Sequence, residues 1–300
     1  MEDQMATTGT VGSVAALWRY PVKSMRGERI EQAEITVRGL VGDRAYALIE
    51  GDTGKVVSAK SVRHFPDLLG CRAEFVEPPQ LGKDLPPVRI TLPDGTAVGS
   101  DSNDLDRALS AYFRREVRLA SAAPEDFTID MYLTDVEGAD SKGRKDTVVE
   151  QKLGSAYFDE AGRASPVPAG AFFDAYPLSV LTTSTLERLT ELQPQSRFDE
   201  RRFRMNVIVA SFEPGFVEND WVGRQLVFGD RVRVNVAVSD VRCVMTTLAQ
   251  EDLPADSGVL RALVEHNRHV AGARQLPCAG VYAVIAEPGL IRLGDPVVIN

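Results

Sequence analysis

The segment Arg231-Val-Arg-Val-Asn-Val-Ala-Val238, with valine at every second position, constrains the fold more than any other stretch of the chain. Alternation with period two suits a half-buried strand, whereas an amphipathic helix needs apolar residues three and four apart. Ser239-Asp240 is a turn-type pair, so the sequence predicts a strand, a turn and then Cys243, flanked by Arg242 and Thr246-Thr247. A thiol beside an arginine at a strand end favours thiolate, the form that binds soft metals or attacks electrophiles. The other reading of Cys243 is a small buried core residue, since free cysteine is among the most buried residue types.

Further strand patterns surround this one. Residues 11–20 read as a first strand stopped by Pro21, followed by a turn at 22–25 and a second strand at 28–37. A third strand starts at Arg44, turns at 50–54 and returns antiparallel over 55–60. Strands at 68–76 and 88–92 follow. The period then changes: Leu105, Ala108, Leu109, Tyr112 and Phe113 form one face of a helix over 101–115, behind an Asp/Ser cap. A short strand at 116–119 completes a mostly β unit over 11–120. Residues 121–171 lose the pattern and read as an irregular connection or a cover over an active site. Over 172–300, order returns. A capping box at Ser184–Glu187 opens a helix to Leu192, strands are expected at 203–210 and 225–228, and a helix at 257–269. Strands at 279–286 and 290–299 close the chain. The fold class is β-rich α+β.

Charge and composition narrow the function. The net charge of −9 argues against nucleic acid or an anionic membrane as a partner. No apolar run reaches the roughly 18–20 residues of a membrane span, and the N-terminus is polar and acidic, so a soluble cytoplasmic protein is expected. Three cysteines, Cys71, Cys243 and Cys278, are too few and too scattered for a disulfide framework, a CxxC motif or a cysteine-ligated iron–sulfur cluster. His266 and His269 stand three apart in a helix-like segment without a third ligand, which suits a solvated helix end better than zinc. No GxGxxG, GxxxxGK[ST] or GxSxG motif is present, so nucleotide cofactors and serine hydrolysis lack their signatures.

Lys23, Arg44 and Arg204 each stand at the end of a predicted strand. Loops at strand ends converge on one rim of a barrel-like sheet, so together the three suggest an anion site. Arginine holds phosphate through a bidentate fork and lysine adds a compact charge. Asn206, two residues beyond Arg204, shares its predicted strand face and suits the edge of a heterocycle.

Tyr20-Pro-Val-Lys-Ser24, Gly42-Asp-Arg44, Phe203-Arg-Met-Asn206, Glu218-Asn-Asp-Trp221, Arg242-Cys243, Thr246-Thr247, Gly280-Val-Tyr282 and Gly294-Asp-Pro296 follow one another in a known order. The sequence resembles the MOSC-domain proteins with an N-terminal MOSC β-barrel domain, the group of the mitochondrial amidoxime-reducing component and its bacterial relatives. The likeness covers nearly all of residues 11–299. It implies a MOSC β-barrel-like domain, a bound molybdenum cofactor, and a metal held by the cofactor dithiolene and one protein cysteine. Carried over by position, Cys243 is that ligand and the catalytic centre. Lys23, Ser24, Arg44, Arg204 and Asn206 hold the pterin and its phosphate, and Arg242 neighbours the ligand. The family's usual Arg-Pro-Asn stands here as Arg204-Met-Asn206, and the loop after Thr247 differs from the usual Asp/Gly-rich one. The activity implied is reduction of small N-oxygenated compounds, with electrons from a separate donor protein or reductase. A sulfur- or cofactor-carrying module is the alternative. No pyridoxal phosphate is expected, because the desulfurase domain of the molybdenum cofactor sulfurases does not fit this length. The membrane anchor of the mitochondrial members is not expected either, and Asp240 is the acid nearest Cys243 in sequence.

Overall fold

The computed structural model describes residues 9–140, 142–271 and 274–300. Alternation does build the main sheet. Seven strands close a ring: β1 (Gly9–Arg19), β2 (Leu178–Thr182), β3 (Val207–Ser211), β4 (Gln225–Phe228), β5 (Val232–Val241), β6 (Arg274–Glu287) and β7 (Pro296–Ile299). Their order around the barrel is β2-β3-β1-β7-β4-β5-β6, and β6 pairs back onto β2 through Leu178↔Ala283 and Val180↔Val281. Only β2 and β3 run parallel, and the strand order shows why: their connection passes through the helix Thr183–Leu192. Inside the ring, Val180, Val207, Val209, Val232, Val234, Val236 and Val281 form the core, each at most 2% exposed. Burying such side chains contributes roughly 1.5–3 kcal/mol each.

Gly280 allows the closure. Its φ of +78° is open to glycine, and a Cβ there would lie 2.6 Å from the Val180 carbonyl oxygen and 2.3 Å from Met205 Cε. Its N–H donates to Glu218 Oε1 at 3.1 Å. Glu218 is fully buried and also accepts from Thr182 and Thr185 hydroxyls at 2.6–2.8 Å. Burial pushes its carboxyl pKa up, and these bonds oppose the shift.

The strand-rich class is as expected, but the first strand belongs to the barrel rather than to a separate N-terminal unit. The strand Gly289–Arg292 in turn pairs with Gln32–Thr36. The rest of the N-terminal unit packs small sheets, Ala47–Glu50 with Val117–Ala120 and Arg72–Phe75 with Val88–Thr91 and Ala97–Gly99, around a second core with Leu68, Ile90 and Leu109. The helix there runs Leu105–Phe113 and ends at Arg114 in a left-handed conformation. Residues 55–60 do return antiparallel, but only briefly, through the bridge Ile49↔Val56 with Glu50 N–H to the Lys55 carbonyl at 2.9 Å and Val57 N–H to that of Leu48 at 2.8 Å.

The expected irregular region at 121–171 is a correction. It contains a hairpin, Thr128–Leu133 with Thr147–Lys152, and a helix, Gly154–Glu160. The hairpin lacks clean alternation because it is paired on few neighbours; only Thr128, Ile129 and Leu133 of its first strand are buried. His266 ends a helix Gly258–His266, while His269 lies in the strand Arg268–Ala271 and bonds Asn267 Oδ1 at 2.9 Å, so the two do not share a helix. Among the described residues no helix is long and apolar enough to cross a membrane, and no group of three metal-binding side chains of the His/Cys/Asp/Glu kind is present.

Candidate functional site

β5 does not turn at Ser239-Asp240. The ladder continues, with Ser239 opposite Val281 and Val241 opposite Cys278, through three register shifts. Bulges of this kind bend a strand and re-aim its side chains. Val238 and Val241 emerge 36% and 37% exposed, Asp240 is buried, and the chain reaches Cys243 as the cap of a single turn of 3-10 helix, Val244–Thr247. Cys243 is half-buried, and its carbonyl accepts from Thr246 Oγ1 at 3.0 Å.

Arg44 and Arg204 are not strand ends. Both adopt left-handed backbone, φ 46° and 57°, and Ser24 does so at 65°. Among the described residues six non-glycine residues have positive φ, so half of them fall among the sequence-derived candidates. Strained conformations of this type concentrate at functional sites. The strand expected from 203 begins at Val207, after the short helix Glu200–Phe203, and Arg204 and Asn206 therefore share no strand face. The turns are held by backbone bonds: Lys23 N–H to Tyr46 at 2.8 Å, Tyr46 N–H to Pro21 at 3.0 Å and Arg44 N–H to Tyr20 at 2.7 Å.

These turns and the bulged end of β5 bring Lys23, Ser24, Arg44, Arg204, Asn206, Arg242 and Cys243 to the wall of one cavity of about 990 Å³. That is the upper end of the range for small-molecule and cofactor sites. Arg44 and Arg204 lie over the Tyr20 ring, with guanidinium carbons 4.5 and 4.4 Å from its centroid. Arg44 pairs with Asp43 and donates to the Arg204 carbonyl at 2.9 Å. Arg204 donates to the Met25 carbonyl at 2.7 Å and has no carboxylate within ion-pair distance among the described residues. Burial lowers its pKa to about 10. A buried arginine with unused donors calls for an anion.

Asn206 differs from expectation. Its Nδ2 donates to Asp43 at 2.9 Å and to the Trp18 carbonyl at 3.3 Å, and its Oδ1 accepts from Ser179 at 3.0 Å. These bonds tie the Gly42-Asp-Arg44 turn to β1 and β2, so the amide braces the wall instead of reaching for a ring edge. Arg242 pairs with Asp240 and donates to the Phe203 carbonyl, while its Nε is a buried donor with no partner among the described residues.

Sequence reasoning missed Lys60 and Asp174. Asp174 bridges Lys23 and Lys60, the latter at 2.5 Å. Burial opposes its ionisation, yet the two ammonium groups hold it well below the usual carboxylate range. Burial brings Lys23 down to about 8 against the pull of Asp174. In the sequence Lys60 is only the last residue of the returning segment 55–60, and Asp174 follows Phe172-Phe173 with no motif around it. Asp240 is the cavity acid nearest Cys243 in sequence. Burial raises it to about 6, opposed by Arg242 and by a hydrogen bond with Tyr282. Cys278 also borders the cavity, but burial pushes its thiol up to about 12, as it does for Cys71.

Two domain families match this architecture. Residues 11–126 match the MOSC N-terminal beta barrel domain and residues 168–298 the MOSC domain. The chain belongs to the MOSC-domain proteins with an N-terminal MOSC β-barrel domain. It is similar to mitochondrial amidoxime-reducing component 1 of Homo sapiens, 25% identical over 321 residues that cover 96% of this chain and 82% of the relative. Mitochondrial amidoxime reducing component 2 of Homo sapiens is 26% identical, covering 96% and 83%. Component 1 of Xenopus laevis is 26% identical, covering 96% and 82%.

Proposed function

We propose that this protein is a molybdenum-cofactor-dependent reductase of N-hydroxylated compounds, such as amidoximes or N-hydroxylated bases, supplied with electrons by a separate redox protein. The observation that carries the reading is Arg204, buried without a carboxylate partner in the cavity that also holds the half-buried thiol of Cys243. The donor set suits a group with a soft metal at one end and a phosphate at the other. Cys243 would be the protein ligand of the metal, with Lys23, Arg44 and Arg204 around the phosphate and the unpartnered Nε of Arg242 adding a donor. The similarity to amidoxime-reducing components supports the same reading.

When bound, the cofactor would supply the two-electron redox couple. Reduction of an amidoxime to an amidine takes up two electrons and two protons and releases water, so the site must also deliver protons. Asp240, linked to Tyr282 and Arg242 and raised to about 6, can hold one in weakly acidic solution, and Lys23, lowered to about 8, can hold one at neutral pH. Asp43, Asn206 and Ser179 keep the anion-binding turns in place.

Metal analysis and turnover test this directly. Protein from a cofactor-competent host should carry about one molybdenum per chain. Cys243→Ala should lose metal and benzamidoxime reduction with an artificial electron donor. Molybdenum without turnover on any N-oxygenated compound would remove the reductase assignment. Labile sulfur on Cys243 without metal would identify a sulfur- or cofactor-carrying module instead.

A further inference from the structure

The charge of the cavity runs against that of the chain. Its wall carries eight cationic and four acidic side chains, a surplus of four in a protein of net charge −9. A phosphate monoester brings at most about two negative charges, so a cofactor phosphate does not use up the surplus. Five of the cations are the inner group already described, with Lys60. The other three, Lys142, Arg144 and Arg163, come from the 121–171 segment and are exposed. Arg144 is matched by Asp140, and Glu150 on the same wall by Lys55. Lys142 and Arg163 have no carboxylate within ion-pair distance among the described residues.

An aromatic path leads inward from Arg163. Its guanidinium carbon lies 5.9 Å from the Phe158 centroid. Phe158 meets Tyr176 edge-on at 5.8 Å, Tyr176 stacks on Tyr282 at 5.3 Å and 22°, and Tyr282 hydrogen-bonds Asp240, three residues before Cys243. Flat rings lie favourably along such faces, and clefts lined by one sign of charge concentrate ligands of the other.

We propose that the substrate is a flat aromatic or heteroaromatic N-hydroxylated compound with an anionic group, carboxylate or phosphate, on the end away from the N–O bond, recognised by Arg163 and Lys142. This rests on the reductase reading above, and it adds the substrate class. The N-oxygenated end faces Cys243 and Asp240, and the anionic end meets the two free cations at the 121–171 wall.

Four compounds test it on the holoenzyme: benzamidoxime, its 4-carboxylate, its 4-phosphonate and the neutral 4-carboxamide. The carboxylate or the phosphonate should have a KM about fivefold or more below that of the carboxamide, and whichever gains more identifies the anion. The advantage should shrink as salt rises. Arg163→Glu should abolish it while leaving kcat/KM for benzamidoxime within about twofold. Calorimetric dissociation constants on the oxidised protein, which cannot turn over, should show the same ratio. Equal KM and equal dissociation constants for charged and neutral compounds, or an advantage that survives both Arg163→Glu and Lys142→Glu, would overturn the proposal. If none of the compounds is reduced, the reductase reading falls, and the calorimetric ratio still decides the anion preference.

Discussion

Arg202 and Arg204 are two residues apart, and both residues are buried, at 0% and 9% exposure. Their surroundings are opposite. Arg202 points away from the cavity and donates to four carbonyls: Arg197 at 3.0 Å, Thr246 at 3.4 Å, Leu248 at 3.2 Å and Pro254 at 2.7 Å. Three of those carbonyls belong to the loop that follows Cys243. Arg204 lines the cavity and has one carbonyl bond, to Met25. The left-handed residue Arg204 ends the short helix that carries both, and this break sends one side chain behind the cysteine loop and the other in front of it. A buried cation saturated with carbonyls ties structure together, whereas one with spare donors awaits a ligand. Burial alone does not tell the two apart.

Replacing Arg202 with Met removes the donors and strands the carbonyls. Stability should fall by about 3–5 kcal/mol, read as a drop in the urea midpoint. The 244–256 loop should also gain hydrogen exchange before the barrel does. A loss under about 1 kcal/mol would mean that Arg202 does not hold the loop.

Asp240 gives the next largest effect, and it lies between the two cases because Arg242 satisfies it only in part. Its folded pKa, raised by burial from 3.8 to about 6, lies above the unfolded value. The folded state therefore binds more protons than the unfolded chain between those values. Its contribution is fully present below about pH 4 and is lost as pH rises through 6, by up to about 3 kcal/mol. The wild-type and Asp240→Asn stability curves should differ in slope over pH 4–6 and run parallel above pH 7. Parallel curves throughout would show that Asp240 is not pushed up by burial.

Arg204→Met should act in the other direction. Without ligand, removing a buried charge that lacks a carboxylate should leave stability unchanged or raise it by about 1 kcal/mol. Molybdenum retention should nevertheless fall, by about tenfold or more in affinity, since a charge-assisted bond is lost. If Arg204→Met destabilised the metal-free protein as much as Arg202→Met, the contrast between the two arginines would collapse.

The contrast also shows what the sequence could carry. Valine alternation in β5 and the stepped apolar face of the helix Leu105–Phe113 are local patterns, and both elements were legible. Cys243, Lys23 and Arg204 could be read as site candidates because ordered motifs marked them. Ser239-Asp240 could not be read correctly, because turn propensity lost to a bulged ladder whose partner strand lies some forty residues downstream. Arg44 and Arg204 looked like strand ends because a left-handed turn leaves no periodic trace in residues other than glycine. Asp174 and Lys60 were hidden for another reason: their roles exist only through a contact between residues 114 positions apart. Pairing over that distance is set by topology, which residue types alone do not encode.

The smallest effect lies at the surface, where the loop behind Cys243 is held a second time. Arg201 bonds Asp199, Glu251 and Asp252, Arg197 also reaches Asp252, and Arg26 of the N-terminal unit reaches Glu251. The carboxylates of Glu251 and Asp252 are more than half exposed, at 52% and 54%, so water and salt screen these pairs. Arg201→Ala should lower Tm by no more than about 2 °C at low ionic strength, and the difference should vanish in about 0.5 M salt. Arg202→Met, tested in parallel, should keep its deficit at the same salt, because its carbonyl partners are buried dipoles out of reach of mobile ions. A salt-insensitive loss at Arg201 would mean that the loop is held from outside as firmly as from within, and that the division of labour between neighbouring arginines extends to the surface.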